Sequence, residues 1–84
     1  MASLPITNQI RLLRFQNGEM TQEDLAQRIG MTRQTVAAIE KGKYAPSLEA
    51  AFRIASVFGV TLGDVFQYDQ DADPITTKQR KNRS

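Results

Sequence analysis

Apolar residues recur along this chain at the 3.6-residue period of helices, not in the strict alternation of strands. Ile10 and Leu13, with Ile6 ahead of them, fall on one face of a first predicted helix over Ile6–Gln16. Leu25, Ala26 and Ile29 do the same for a second over Gln22–Ile29, and Val36 and Ile39 for a third over Arg33–Lys41. Leu48, Ala51, Phe52, Ala55 and Phe58 mark a fourth over Leu48–Phe58, and Leu62, Val65 and Phe66 a fifth from Leu62 to about Gln67. The pattern assigns Leu25, Ile29, Phe52 and Phe58 to the core.

Start and stop signals agree with this division. Thr21, Thr32, Ser47 and Thr61 stand just ahead of the later helices, where a hydroxyl accepts from the unpaired N–H groups of the first turn. Asp24 and Asp64 lie three residues beyond Thr21 and Thr61, the spacing of a reciprocal capping box. Gly30, Gly42 and Gly59 close segments, as glycine does just past a helix end. After Tyr68 the pattern lapses. Residues 69–84 hold one large apolar residue, Ile75, and then the basic Lys78, Arg80, Lys81 and Arg83. That composition predicts a polar, flexible tail, with a short strand near Ile75 only if it finds a pairing partner. The basic cluster reads better as a solvated tail than as a nucleic-acid arm. Residues 1–68 are then one domain and 69–84 its tail.

Composition narrows the chemistry. The 84 residues contain no cysteine and no histidine, which removes disulfides, thiolate ligands and the usual proton shuttle. There is no glycine-rich phosphate loop and no acid pair on a common buried face, so the expectation is a non-enzyme with no cofactor, no metal and no small-molecule ligand. No apolar run approaches the roughly 20 residues that span a bilayer, and the N-terminus lacks the features of a signal peptide. A cytoplasmic protein without a membrane partner is expected. The net charge is only +2, so the placement of charge has to point to a partner.

That placement is informative in TQEDLAQRIGMTRQTVAAIEKGK. Two short helices meet at a tight turn, Gly30-Met31, with the small Ala26 where they must approach; this is a helix-turn-helix pattern over about 21–41. Val36 and Ile39 set the inward direction of the third helix. The opposite face carries Gln34, Ala37, Ala38 and Lys41, flanked by Arg33 and Thr35. Arginine and glutamine make paired hydrogen bonds to guanine and adenine edges, and an alanine methyl fits a thymine methyl. The N-terminal residues of such a helix are those that reach bases in the major groove of duplex DNA. Gln22, at the start of the second helix, suits a phosphate. Lys41, Lys43 and Tyr44 follow the third helix and could hold the next phosphates, although Lys43 and Tyr44 read equally well as a surface lysine and a loop cover. Glu40 reads as structural, and Thr21 and Thr32 as helix caps first.

Residues 8–68 resemble the Cro/C1-type helix-turn-helix family, also called the XRE family, and its short stand-alone members. The likeness rests on TQEDLAQRIGMTRQTVAAIEKGKYAPSL and AFRIASVFGVTLGDVF. It implies an all-α, five-helix, lambda-repressor-like domain, with room for a short terminal β-strand pairing. It implies DNA contacts at Gln22, Thr32, Arg33, Gln34, Thr35 and Ala38, with Lys43 and Tyr44 in a phosphate-contacting loop. It also implies an ion pair between Arg14 and Glu40. Arg14 stands one residue farther ahead of Gln22 than in the family pattern, an insertion near Gly18-Glu19. Ala38 replaces the long polar side chain of some relatives, which leaves fewer bases read directly. Small members are often symmetric dimers, which points to Val65, Phe66 and Tyr68, with Leu4 and Ile6, as a homodimer interface and to a palindromic operator. The function so implied is that of a sequence-specific transcriptional regulator, a repressor. An antitoxin or other protein-interaction module that also binds DNA is the alternative, with residues 69–84 as its gripping segment.

Overall fold

Hydroxyl caps open the four central helices of the domain. In the computed structural model, which describes residues 4–81, the chain runs β1 (Ile6–Asn8), α1 (Ile10–Gln16), α2 (Gln22–Ile29), α3 (Arg33–Glu40), α4 (Leu48–Phe58), α5 (Leu62–Val65), β2 (Phe66–Tyr68) and α6 (Pro74–Lys81). Thr21, Thr32, Ser47 and Thr61 accept from the amides of Asp24, Thr35, Ala50 and Asp64 at 3.0–3.2 Å. The Asp24 and Asp64 carboxylates accept in return from the Thr21 and Thr61 amides at 3.2 and 3.1 Å. Both expected capping boxes are therefore closed.

The chain's ends differ from the helical expectation. The first helix begins at Ile10, not Ile6, and the fifth stops at Val65. Ile6–Asn8 and Phe66–Tyr68 instead pair antiparallel, Ile6 opposite Tyr68 and Asn8 opposite Phe66. The Gln9 amide donates to the Val65 carbonyl and the Asp69 amide to the Pro5 carbonyl, each at 2.8 Å, extending the ribbon at both ends. Asn8 explains the late start of α1. Its Oδ1 accepts from the Ile10 amide at 3.1 Å, a local bond that competes with helix at Asn8 itself. Ile75, considered above for a strand, lies in α6. That helix starts on Asp73, whose carboxylate accepts from the Ile75 amide at 3.0 Å, and on Pro74 in its first turn, the position proline tolerates best.

The core joins Ile10 of α1, Leu25, Ala26 and Ile29 of α2, Val36 and Ile39 of α3, Ile54, Ala55 and Phe58 of α4, and Val65, with Met20 from the α1–α2 loop. Phe52 departs from the expectation. It is 54% exposed, and Leu48 is 67% exposed. The inward stripe of α4 is Ala51, Ile54, Ala55 and Phe58. At about 100° per residue, Phe52 sits roughly a third of a turn away from the centre of that stripe. No helix among the described residues is long and apolar enough to cross a membrane.

Two outcomes follow. Urea unfolding at neutral pH will show Ile54→Ala to cost about 2–5 kcal/mol, the range for a buried large-to-small change, and Phe52→Ala no more than about 1 kcal/mol. The pH dependence has a definite sign. Hydrogen bonds from the Thr21 backbone and side chain lower the pKa of Asp24, and those from the Thr61 side chain and backbone lower that of Asp64. A depressed folded-state pKa gives stability that is present above the unfolded-state value and is lost as pH falls through the folded one. Thermal unfolding scans should therefore show the melting temperature falling below about pH 4, and falling less in the Asp24→Asn, Asp64→Asn double variant.

Candidate nucleic-acid interface

The turn between α2 and α3 is fixed by backbone bonds. Gly30 adopts a left-handed φ of 72°, which an L side chain takes only at a cost. The Gly30 amide donates to the Gln27 carbonyl and the Met31 amide to the Ala26 carbonyl at 2.9 Å, the pair of bonds that ends a helix in a Schellman turn. Ala26 is buried at the crossing of α2 and α3. The end of α3 closes in the same way, with Gly42 donating to Ile39 and Lys43 to Ala38, each at 3.0 Å.

These constraints orient α3. Val36 and Ile39 point inward, 1% and 2% exposed. Arg33 and Gln34 are exposed, Thr35, Ala37 and Ala38 are half-buried, and Lys41, Lys43 and Tyr44 are exposed where the chain leaves the helix. Of the residues expected to read bases, Arg33, Gln34 and Thr35 lie in the first turn of α3 and Ala38 farther along it; of those expected to hold phosphates, Gln22 and Thr32 stand at the starts of α2 and α3, and Lys41, Lys43 and Tyr44 lie beyond the end of α3. Thr32 and Thr35 are linked to each other through their hydroxyls at 3.0 Å.

Glu40 is the one acid of α3, and it faces away from that surface. Arg14 grips it with two bonds, Nε to Oε2 at 2.7 Å and NH2 to Oε1 at 3.1 Å. The side chains are 15% and 8% exposed. Paired, charge-assisted geometry of this kind is the strong form of an ion pair. Arg14 also donates through NH1 to the Met20 carbonyl at 2.7 Å, while the Met20 amide donates to the Arg14 carbonyl at 2.9 Å. Arg14 therefore fastens the loop that follows its own helix. The extra residue in that loop is absorbed by two successive left-handed residues, Gly18 at φ 77° and Glu19 at φ 56°. Gln22 joins the group, its Nε2 donating to Glu40 Oε1 at 3.2 Å.

A family model described as helix-turn-helix matches residues 10–65. The chain belongs to the Cro/C1-type helix-turn-helix family. An uncharacterised HTH-type transcriptional regulator of Methanocaldococcus jannaschii is 60% identical over 52 residues, covering 62% of this chain and 79% of that protein. The transcriptional repressor RstR of the cryptic phage CTXphi in Vibrio cholerae is 34% identical over 59 residues, covering 70% of this chain and 52% of that protein. The crystal structure of a Bacteroides fragilis chain, named as a candidate DNA-binding protein, superposes with a TM-score of 0.64 at 21% identity, over 74% of this chain and 98% of that one. This last likeness concerns the fold. The helix-turn-helix family comprises DNA-binding transcriptional regulators, not enzymes.

One residue expected at an interface between copies lies inside the core. Val65 is 0% exposed and lies in the core of its own chain, so its side chain has no surface to offer a second copy. Phe66 is half-buried and Tyr68 is 55% exposed. The Tyr68 hydroxyl hydrogen-bonds Asp73, just ahead of α6, and Thr76 in its first turn. Asn8 carries a local signal of its own, since an asparagine side chain commonly accepts from the amide two residues on. The ion pair sets a measurable expectation. Glu40→Ala or Arg14→Ala leaves the opposite charge half-buried and without its ionic partner, and each should cost about 1–3 kcal/mol in urea unfolding. The double variant should cost well under the sum of the two, the mark of direct coupling.

Proposed function

We propose that this helix-turn-helix chain is a cytoplasmic, sequence-specific repressor that occupies a palindromic DNA operator as a homodimer. The observation that carries the reading is the outward face of α3, where Arg33 and Gln34 are exposed beside two alanines and the only acid of the helix is turned inward to Arg14. A face without carboxylate charge can approach phosphate-rich grooves, and short alanine side chains let the helix backbone come close. The likeness to a phage repressor supports the regulatory sense.

In this mechanism α3 enters the major groove with its N-terminal end toward the bases. Arg33 pairs with a guanine edge and Gln34 with an adenine edge, while Thr35 and the Ala38 methyl complete the readout. Gln22, Thr32, Lys41, Lys43 and Tyr44 hold phosphates and set the register. Gln22 can serve because its amide nitrogen has two hydrogens and Glu40 takes one. Thr32 does so alongside its capping bond to the Thr35 amide. Phe66 and Tyr68, with Leu4 and Ile6 nearby on the ribbon, form the surface assigned to the second copy. Repression follows from occupancy of the promoter.

Selection of bound duplexes from a random DNA pool, at near-physiological salt, tests the proposal. The expected result is an enriched palindrome with half-sites about one helical turn apart; a pool without enrichment would overturn it. On the selected operator, Arg33→Ala or Gln34→Ala should cost about 1–3 kcal/mol and relax the preference at one base pair. Lys43→Ala should instead weaken binding to every duplex and lower the slope of log affinity against log salt by about one.

A further inference from the structure

Asn8 joins two helices that are far apart in sequence. Its backbone lies in β1, opposite Phe66 of β2. Its side-chain Oδ1 accepts from the Ile10 amide at the start of α1, at 3.1 Å. Its Nδ2 donates to the Ile39 carbonyl at 3.0 Å and to the Glu40 carbonyl at 3.4 Å. Those carbonyls belong to the last turn of α3; Ile39 also accepts there from the Gly42 amide at 3.0 Å, so Asn8 adds a donor from outside the helix. The side-chain amide therefore presents its negative end to the start of one helix and its positive end to the finish of another, the favourable sense at both. Nearby, the Leu4 amide lies 3.5 Å from the Gly42 carbonyl, so the N-terminal segment runs along the exit of α3.

The geometry points to Asn8 as a positioning residue for DNA reading: it fixes the C-terminal turn of α3, and the loop Lys41–Tyr44 that leaves it, against α1 and the β1–β2 ribbon. The inference rests on the proposed reading of α3 as the helix that enters the groove. Asn8 itself touches no base in this scheme. Val36 and Ile39 hold the inward side of α3 by non-directional packing, and Arg14 holds the Glu40 side chain. A short helix secured in those ways can still pivot at its end. A paired hydrogen bond to a base edge tolerates misplacement of only about 0.5 Å and 10–20°. Directional bonds to two carbonyls of the last turn remove that freedom.

Asn8→Asp separates the two roles of the side chain. It keeps the oxygen that caps α1 and replaces the donor facing α3 with a second acceptor. The experiment uses the full chain well below its melting temperature. It compares affinity for the selected operator with affinity for a scrambled duplex at one salt concentration, and follows amide hydrogen exchange residue by residue. The expected result is an operator preference, taken as the ratio of the two affinities, reduced roughly five- to ten-fold, on the scale of one lost hydrogen bond, over and above the weakening that the added carboxylate imposes on both duplexes alike. The amides of Lys41, Gly42 and Lys43 should exchange faster by a similar factor, while those of Leu25 and Ile54 stay protected. A merely structural role would lower the melting temperature and leave the preference of the folded protein intact. An Asn8→Asp chain that discriminates as the wild type does, or whose amides at 41–43 exchange no faster, overturns the inference alone. A wild-type chain without any preference overturns the operator reading and this inference with it. If Asn8→Asp does not fold, Asn8→Ser serves the same comparison, because its oxygen still caps α1 and is too short to reach α3.

Discussion

Glu40 has to be neutralised for this domain to stand as it does. Its side chain is only 8% exposed, and a carboxylate so placed is costly unless it is paired and hydrogen-bonded. Arg14 meets that requirement with a forked contact, and Gln22 adds a third donor. One charged group thereby ties together α1, the start of α2 and the end of α3. Most of the helical arrangement needed for a helix-turn-helix follows from satisfying it. The Arg14 guanidinium also anchors the Met20 carbonyl, so the loop carrying the additional residue is built around the same ion pair. The loop takes left-handed dihedrals at Gly18, where glycine adopts them freely, and at Glu19, where a side chain makes them costly.

The burial of Glu40 has a second consequence, for the outer face of α3. A helix of eight residues has to bury one stripe and present another. Val36 and Ile39 take the buried stripe, and Glu40 is drawn to the same side by Arg14. What remains outside is neutral or basic: Arg33, Gln34, the alanines, and then Lys41 and Lys43 in the exit. A chain with a net charge of only +2 thus offers a locally basic surface because the one acid of α3 is engaged on its inner side, and other acids are tied to helix starts. Asp24 and Asp64 cap helix starts, and Asp73 receives the Ile75 amide. Local placement, not total charge, sets the potential that a phosphate backbone would meet.

The parts legible in the sequence are those decided by neighbours in the chain. Thr21 with Asp24, Thr61 with Asp64, and the glycines that close α2 and α4 act within one or two helical turns, so their spacing is enough to place them. The Arg14–Glu40 pair was reached through family likeness, because nothing local links residues 26 positions apart. The ribbon was harder. Ile6–Asn8 and Phe66–Tyr68 are three residues each, too short to show alternation, and each is a strand only because the other lies beside it. Extending the apolar pattern through both gave one helix too long at its start and one too long at its end. Phe52 shows a different limit. Its spacing admits two neighbouring stripes on α4, and packing against α2 and α5 selects the one through Ile54. Val65 was placed at a surface by likeness, yet here the core claims it. Asp73-Pro74 was a helix start in plain view, passed over because the surrounding composition resembled a tail.

The ribbon also changes what counts as the reading unit. In the bare helix-turn-helix, α3 is held by α2 at one end and by its apolar stripe along its length. Here β1 reaches back across the fold and places Asn8 on the last carbonyls of α3, while β2 holds β1 in register. Tyr68 then links β2 to Asp73 and Thr76. A continuous set of hydrogen bonds therefore runs from the start of α6, through the ribbon, to the exit of α3. Such a path is not by itself evidence of communication, since coupling requires an element with two alternative arrangements. Its physical meaning is more restricted. β1 and β2 close on each other beside the point where α3 gives way to the basic loop, so the orientation of that loop depends on residues far from it in the sequence. A chain cut out at residues 10–65, the span of the family likeness, would keep its caps and its ion pair, and would lose the Asn8 contacts that fix where the last turn of α3 points.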